Sequence, residues 1–156
     1  MNIGIIALSQ SGNTESVAQK IKEEVSTDDK KVTIEMITVK GEVKPEKKEY
    51  EFENKPVAEP YDLIIFAAAV NVFSLNSAMK YYLKQLDSLE DKKVFCFVTK
   101  ALPFNWTGGS PALKQMKNIC KTKGAEICGG GIVKWREKSR SNDIESLIGK
   151  VKQVIN

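Results

Sequence analysis

The 156-residue chain contains no histidine. That absence removes the commonest metal ligand, the usual general base and every Ser-His or Cys-His nucleophile arrangement. Zinc sites and triad hydrolases are therefore not expected, and any chemistry falls to a bound cofactor. Cysteine is scarce: Cys96, Cys120 and Cys128 are an odd number with no close-spaced pair, so buried free thiols are expected. Long apolar runs are missing. The longest, Leu63 to Val70, is far too short to cross a bilayer, and Met1-Asn2-Ile3 runs straight into a strand-like segment with no basic leader. A cytoplasmic location and no membrane partner are the expectation. Basic blocks interleaved with aromatics are lacking too. Net charge is +4, but the lysines alternate with acids, which reads as a mixed solvated surface and argues against nucleic-acid binding.

What is present is ordinary for a folded domain: 42% apolar and 28% charged residues, a balance that argues against disorder. The length suits one domain over residues 1–156. Asn2 to Leu8 is a short, nearly continuous apolar run, as in a strand buried on both faces. The period then changes. Val17, Ala18, Ile21 and Val25 fall at helical spacing, with Asn13 or Thr14 as the cap. Lys31 to Val39 alternates like a second strand. Residues 39–60 carry Pro45, Pro56 and Pro60 with little periodicity, so they read as a long surface connection, either an ordered excursion or a replaced helix.

Tyr61 to Val70 is the strongest strand, and Leu75 to Leu86 is helical. Lys92 to Thr99 is another buried strand, Pro111 to Lys121 a helix stopped by Gly124, Ala125 to Val133 a fifth strand, and Asn142 to Ile155 a last helix. Strands alternating with helices imply a three-layer α/β fold, a doubly wound five-stranded parallel sheet covered on both faces. The run Gly129-Gly130-Gly131 reads as close packing, because no helix follows directly.

In such sheets ligands bind outside the carboxyl ends of the strands. Three connections leave those ends. The first, Ser9-Gln10-Ser11-Gly12-Asn13-Thr14, follows a buried strand and opens a helix, so unpaired N–H groups converge beside a positive dipole end. Its hydroxyls and the Asn13 amide add neutral donors, Gly12 permits a tight wrap, and no Lys or Arg is present. The loop can hold a phosphate monoester. A P-loop NTPase is disfavoured by the lack of a Gly-Lys-Ser/Thr ending, and a dinucleotide fold by the lack of G-x-G-x-x-G.

The run Ser9-x-Ser11-Gly12-Asn13-Thr14, placed directly after the first strand, resembles the T/S-x-T/S-G-N-T phosphate loop of flavodoxins and flavodoxin-like oxidoreductases. The resemblance implies the strand order 2-1-3-4-5, with FMN at the switch between the first and third strands. It also implies that the other two connections meet the flavin. In Val70-Asn71-Val72-Phe73, backbone groups face the ring, and Phe73 either stacks on it or belongs to the core at the helix entrance. Val70 stands where the family usually has proline. In the third connection, Lys100, Ala101, Phe104, Asn105, Trp106, Gly108 and Gly109 suit the pyrimidine side of the ring, Trp106 being either a ring partner or a lid over the core.

The family contains electron carriers and NAD(P)H-dependent reductases. The first expectation is an FMN-dependent redox protein mediating electron transfer to a partner protein or small-molecule acceptor. The alternative is an NAD(P)H-dependent FMN/quinone reductase, and the third reading is a non-redox module without cofactor. Whether the chain is an enzyme, and its oligomeric state, stay open. Lys100, with no carboxylate between residues 100 and 110, either stabilises reduced, anionic FMN or points into solvent.

Overall fold

The computed structural model describes residues 1–71, 74–101, 109–136 and 138–156. Five strands form a parallel sheet: β1 (Asn2–Leu8), β2 (Lys31–Met36), β5 (Leu63–Asn71), β7 (Lys93–Lys100) and β8 (Glu126–Lys134), in the order β2-β1-β5-β7-β8. Counted by position along the chain, these are strands 2-1-3-4-5. The apolar runs of β1, β5 and β7 are buried on both sides, as central parallel strands must be. Their side chains alternate. Ile3, Ile5, Ala7, Leu63, Ile65, Ala67, Phe95 and Phe97 point to one face. Ile6, Leu8, Ile64, Phe66, Ala68, Val94, Cys96 and Val98 point to the other.

The first face is closed by α1 (Asn13–Val25) and α4 (Arg140–Ile155). α1 buries Val17, Ala18, Ile21 and Val25, and α4 buries Ile144, Leu147, Val151 and Ile155, which are the i, i+3/i+4 stripes of amphipathic helices. The second face is closed by α2 (Ser77–Gln85), α3 (Gly109–Thr122) and the excursion after β2. That excursion contains β3 (Thr38–Val39) and β4 (Phe52–Asn54), paired antiparallel in a sheet of their own. Residues 39–60 are therefore an ordered excursion lying where a crossover helix would pack. It anchors through Tyr50, Phe52 and Ala58, and its backbone is fastened by side chains: Tyr82 Oη donates to Pro56 O at 2.5 Å and Asn54 Nδ2 to Met36 O at 2.5 Å.

Several boundaries differ from the expectation. The second strand ends at Met36, because Ile37 turns its side chain into the second core and its N–H bonds to Ala7 O. The first helix is capped by neither Asn13 nor Thr14, both of which lie inside it. Its cap is Gly12, at φ +89°, a left-handed conformation that glycine adopts without strain. In β8 the pairing shifts between Val94 and Phe95, so Cys128 is bulged out of the ladder and its thiol donates to Val94 O at 3.2 Å. The glycines after it are packing positions: a Cβ on Gly131 would sit 2.6 Å from Leu147 Cδ1, and one on Gly129 2.9 Å from the Phe95 ring. All three cysteines are free thiols, with Cys96 and Cys120 buried. A hydrogen bond with Cys120 and then burial hold the Cys96 thiol well above its usual range, which suits an inert core residue. Among the described residues, no helix is long and apolar enough to cross a membrane.

Candidate anion and cofactor site

Parallel strands bring three chain connections to one edge of the sheet. At its centre, β1 and β5 are neighbours while the chain leaves them in opposite directions, to β2 and to β7. This is the topological switch point, where a crevice opens at the strands' carboxyl ends.

The loop after β1 occupies that position. Gln10, Ser11 and Gly12 are exposed, Ser9 and Asn13 half-buried, and Thr14 buried. Ser9 Oγ accepts from the N–H groups of Gly12 (3.1 Å) and Glu15 (3.3 Å), so Ser9 does the capping expected of Asn13 or Thr14. Three donors are left over. The N–H groups of Ser11, Asn13 and Thr14 have no acceptor among the described residues. Thr14 is only 1% exposed, so its N–H is an orphaned donor in a buried residue, at the positive end of α1. A Cβ built on Gly12 would meet no atom of the described residues within 4 Å, so the space beside Gly12 is open among them. Donors without acceptors at a helix N-terminus, with open space beside Gly12, fit a bound phosphate ester held by backbone amides. Exposed Glu15 is the nearest acidic residue along the chain.

Side chains tie this loop to the other two connections. Thr14 Oγ1 lies 2.9 Å from Thr99 Oγ1 in the interior, joining the start of α1 to the end of β7. Gln10 Oε1 accepts from Asn76 Nδ2 at 3.0 Å, joining the loop to the start of α2. Neither Thr99 nor Asn76 is among the residues expected from sequence. Asn before a small residue and an amphipathic run is a recognisable cap signal; the Thr99 contact, 85 positions away, carries no local signal.

In the second connection, Val70 and Asn71 belong to β5 itself. They pair antiparallel with Leu75 and Ser74 of β6 (Ser74–Leu75), and Leu75 N–H donates to Gln115 Oε1 of α3 at 3.0 Å. In the third, Lys100 ends β7 and is 3% exposed, so its side chain does not lie in solvent. Its stem packs beneath Gly109 of α3, where an added Cβ would come within 2.9 Å of Lys100 Cδ. Ala101 is exposed beside it. Val72, Phe73, Phe104, Asn105, Trp106 and Gly108 lie outside the described residues.

A five-stranded parallel sheet in the order 2-1-3-4-5, covered on both faces, with a helix-opening loop at its switch point, is the flavodoxin-like fold. Solved structures agree. Oxidised flavodoxin 2 from Bacillus cereus superposes with a TM-score of 0.69 at 18% identity, over 99% of this chain and 99% of that one. A Fusobacterium nucleatum flavodoxin bound to flavin mononucleotide gives 0.63 at 15% identity, covering 98% of each chain. A flavoprotein from Lactobacillus acidophilus NCFM, in complex with FMN, gives 0.65 at 18% identity, over 94% of this chain and 97% of that one. No family model and no curated protein sequence matches the chain.

Proposed function

We propose that the chain is an FMN-binding redox protein that mediates electron transfer. The observation that carries this reading is the loop 9–14: free amides at the start of α1, one of them in a buried residue, at the switch point of a fold shared with FMN-bound proteins. The amides of Ser11, Asn13 and Thr14, with the Ser11 hydroxyl, would hold the phosphate. Val70, Asn71, Lys100, Ala101 and Gly109 would border the ring. When bound, the flavin supplies one- and two-electron chemistry. The residues' own work is to bind, orient and tune. Buried Lys100 would favour the reduced, anionic flavin, because a cation in low dielectric acts strongly on nearby charge. The electrons would pass to a partner protein or small acceptor in the cytoplasm, a reducing compartment that suits three free thiols.

The test is reconstitution with FMN followed by a visible spectrum during stepwise anaerobic reduction. One FMN per chain with a distinct one-electron stage is the expected result. A colourless protein that fails to take up FMN overturns the reading, and sustained NAD(P)H oxidation with a quinone would replace the carrier by a reductase. In redox titration, Lys100→Met should make the potential of the second electron more negative. An unchanged potential would remove Lys100 from the tuning role.

A further inference from the structure

We propose that Asn76 is a positioning residue for the anion loop, holding Gln10 so that the amides of residues 11–14 stay aimed at the phosphate. The inference rests on the FMN reading above and extends it to a residue outside the loop. Asn76 is fully buried. Its Oδ1 accepts from the N–H groups of Ala78 (3.0 Å) and Met79 (3.2 Å), which caps α2. Capping needs only an acceptor, and Ser or Asp would serve as well. The amide's other half is what those residues lack: Nδ2 donates across 66 residues of sequence to Gln10 Oε1. Because Oδ1 is committed to two N–H groups, the amide cannot turn over. Its NH2 must face Gln10, and Gln10 must present oxygen.

The far side of this link is fastened by further hydrogen bonds. Next to Asn76, Ser77 Oγ donates to Lys44 O at 2.8 Å and lies 2.7 Å from Tyr50 Oη, while Leu75 N–H is held by Gln115. The near side is an exposed turn whose other side-chain fastenings are Ser9 and Thr14. Between them, the Gln10 bond fixes the segment just ahead of Ser11. A residue that presets donor geometry saves the ordering cost otherwise incurred on binding.

The experiment compares the apoprotein, Asn76→Ser and Gln10→Leu. Serine keeps the α2 cap but cannot reach Gln10; leucine removes the acceptor and leaves the cap untouched. Each is titrated with FMN and with riboflavin, which lacks the phosphate, and amide exchange is followed at Gly12 and Glu15, whose N–H groups are bonded to Ser9 Oγ. Each variant should weaken FMN about 5- to 10-fold, the weight of one hydrogen bond, with riboflavin affinity unchanged. The double variant should be no weaker than either single one. Exchange at Gly12 and Glu15 should quicken in Asn76→Ser, although no atom of the loop has changed. Unchanged FMN affinity, equal losses for both flavins, or additive losses would overturn the proposal. If the unaltered protein binds no FMN, the function reading fails separately, and exchange alone decides: unaltered rates at Gly12 and Glu15 in Asn76→Ser reject the coupling.

Discussion

One face of the sheet is covered by α1 and α4, whose contribution is aliphatic: Val17, Ile21, Val25, Ile144, Leu147, Val151 and Ile155. The other is covered by α2, α3 and residues 39–61, whose contribution includes Tyr50, Phe52, Tyr61 and Tyr82, the hydroxyls of Tyr50 and Tyr82 reaching backbone carbonyls and that of Tyr61 the Glu35 carboxylate. The difference follows from backbone satisfaction. A helix pairs its own N–H and C=O groups and can present nothing but hydrocarbon to the core. An irregular segment leaves those groups open, so side chains must meet them. Tyrosine suits that task, since its ring fills the core and its hydroxyl reaches a carbonyl. Around Ser77, the Lys44 N–H can donate to Tyr50, Tyr50 to Ser77 and Ser77 back to Lys44 O, each proton being used once.

The largest expected effects come from truncating one buried side chain per face. Tyr82→Ala should cost about 3–5 kcal/mol and Leu147→Ala about 2–5 kcal/mol in denaturant unfolding. What separates them is location. Loss of Tyr82 removes the bond to Pro56 O and the edge-on contacts of its ring with Phe52 and Phe66, so residues 39–60 should become sensitive to limited proteolysis. Leu147→Ala should leave that segment protected. Equal cleavage in both variants would mean that the excursion is not held as a separate unit.

This contrast also marks what the sequence made legible. β1, β5 and β7 are buried on both faces, which produces runs with no competing period, and α1 and α4 show the helical stripe plainly. The loop 9–14 was legible for the same local reason, a buried strand switching to a helix across a polar turn. Residues 39–60 were not, because strands of two and three residues carry no period to read. The cap of α1 was misplaced because a left-handed Gly12 moves the helix start, and the capping oxygen comes from Ser9. Asn76 and Thr99 escaped because their partners lie 66 and 85 residues away. The burial of Lys100 was equally hidden, since it depends on α3 packing over its stem.

A pair of glycine substitutions sharpens the comparison at smaller cost. On the excursion face, a Cβ on Gly4 would lie 2.5–2.7 Å from Cδ2, Cγ and Cε2 of Tyr61. These atoms lie near the base of a stiff ring, so the ring must be displaced, at about 1–3 kcal/mol. On the helix face, Gly131 opposes the terminal methyl of Leu147, which can rotate away. Gly131→Ala should therefore cost less than about 1 kcal/mol. A reversed order in thermal unfolding would mean that the aromatic face is the more compliant one.

Alkaline pH should distinguish the faces by a further, smaller effect. Burial first, and then the hydrogen bond to Glu35, push the Tyr61 hydroxyl from 10.0 up to about 12; burial also raises Tyr82. Above pH 10 the unfolded tyrosines ionise while Tyr61 stays neutral in the fold. The unfolded state then binds fewer protons, and stability falls as pH rises toward 12. Below pH 10 this contribution is complete. Tyr61→Phe should flatten part of the decline between pH 10 and 12, by about 1 kcal/mol once solvent screening is counted. The core of the helix face holds no tyrosine among the described residues, so Leu147→Ala should leave the slope unchanged.

Surface ion pairs should show no difference between the faces. Lys152 Nζ lies 3.7 Å from Glu24 Oε2 between α4 and α1, and Lys40 Nζ 3.6 Å from Glu51 Oε2 within the excursion. Their side chains are 47% and 58% exposed in the first pair and 66% and 80% in the second, so water and salt screen both. Charge removal by Glu24→Gln or Glu51→Gln should shift stability by less than about 0.5 kcal/mol, and added salt should erase the shift. If Glu51→Gln instead loosened residues 39–60 at all ionic strengths, electrostatics would share the work assigned to the tyrosine hydroxyls. With the pair near neutral, the excursion is held by buried rings and the bonds they make, and that polar framework leads through Ser77 and Asn76 to the anion loop.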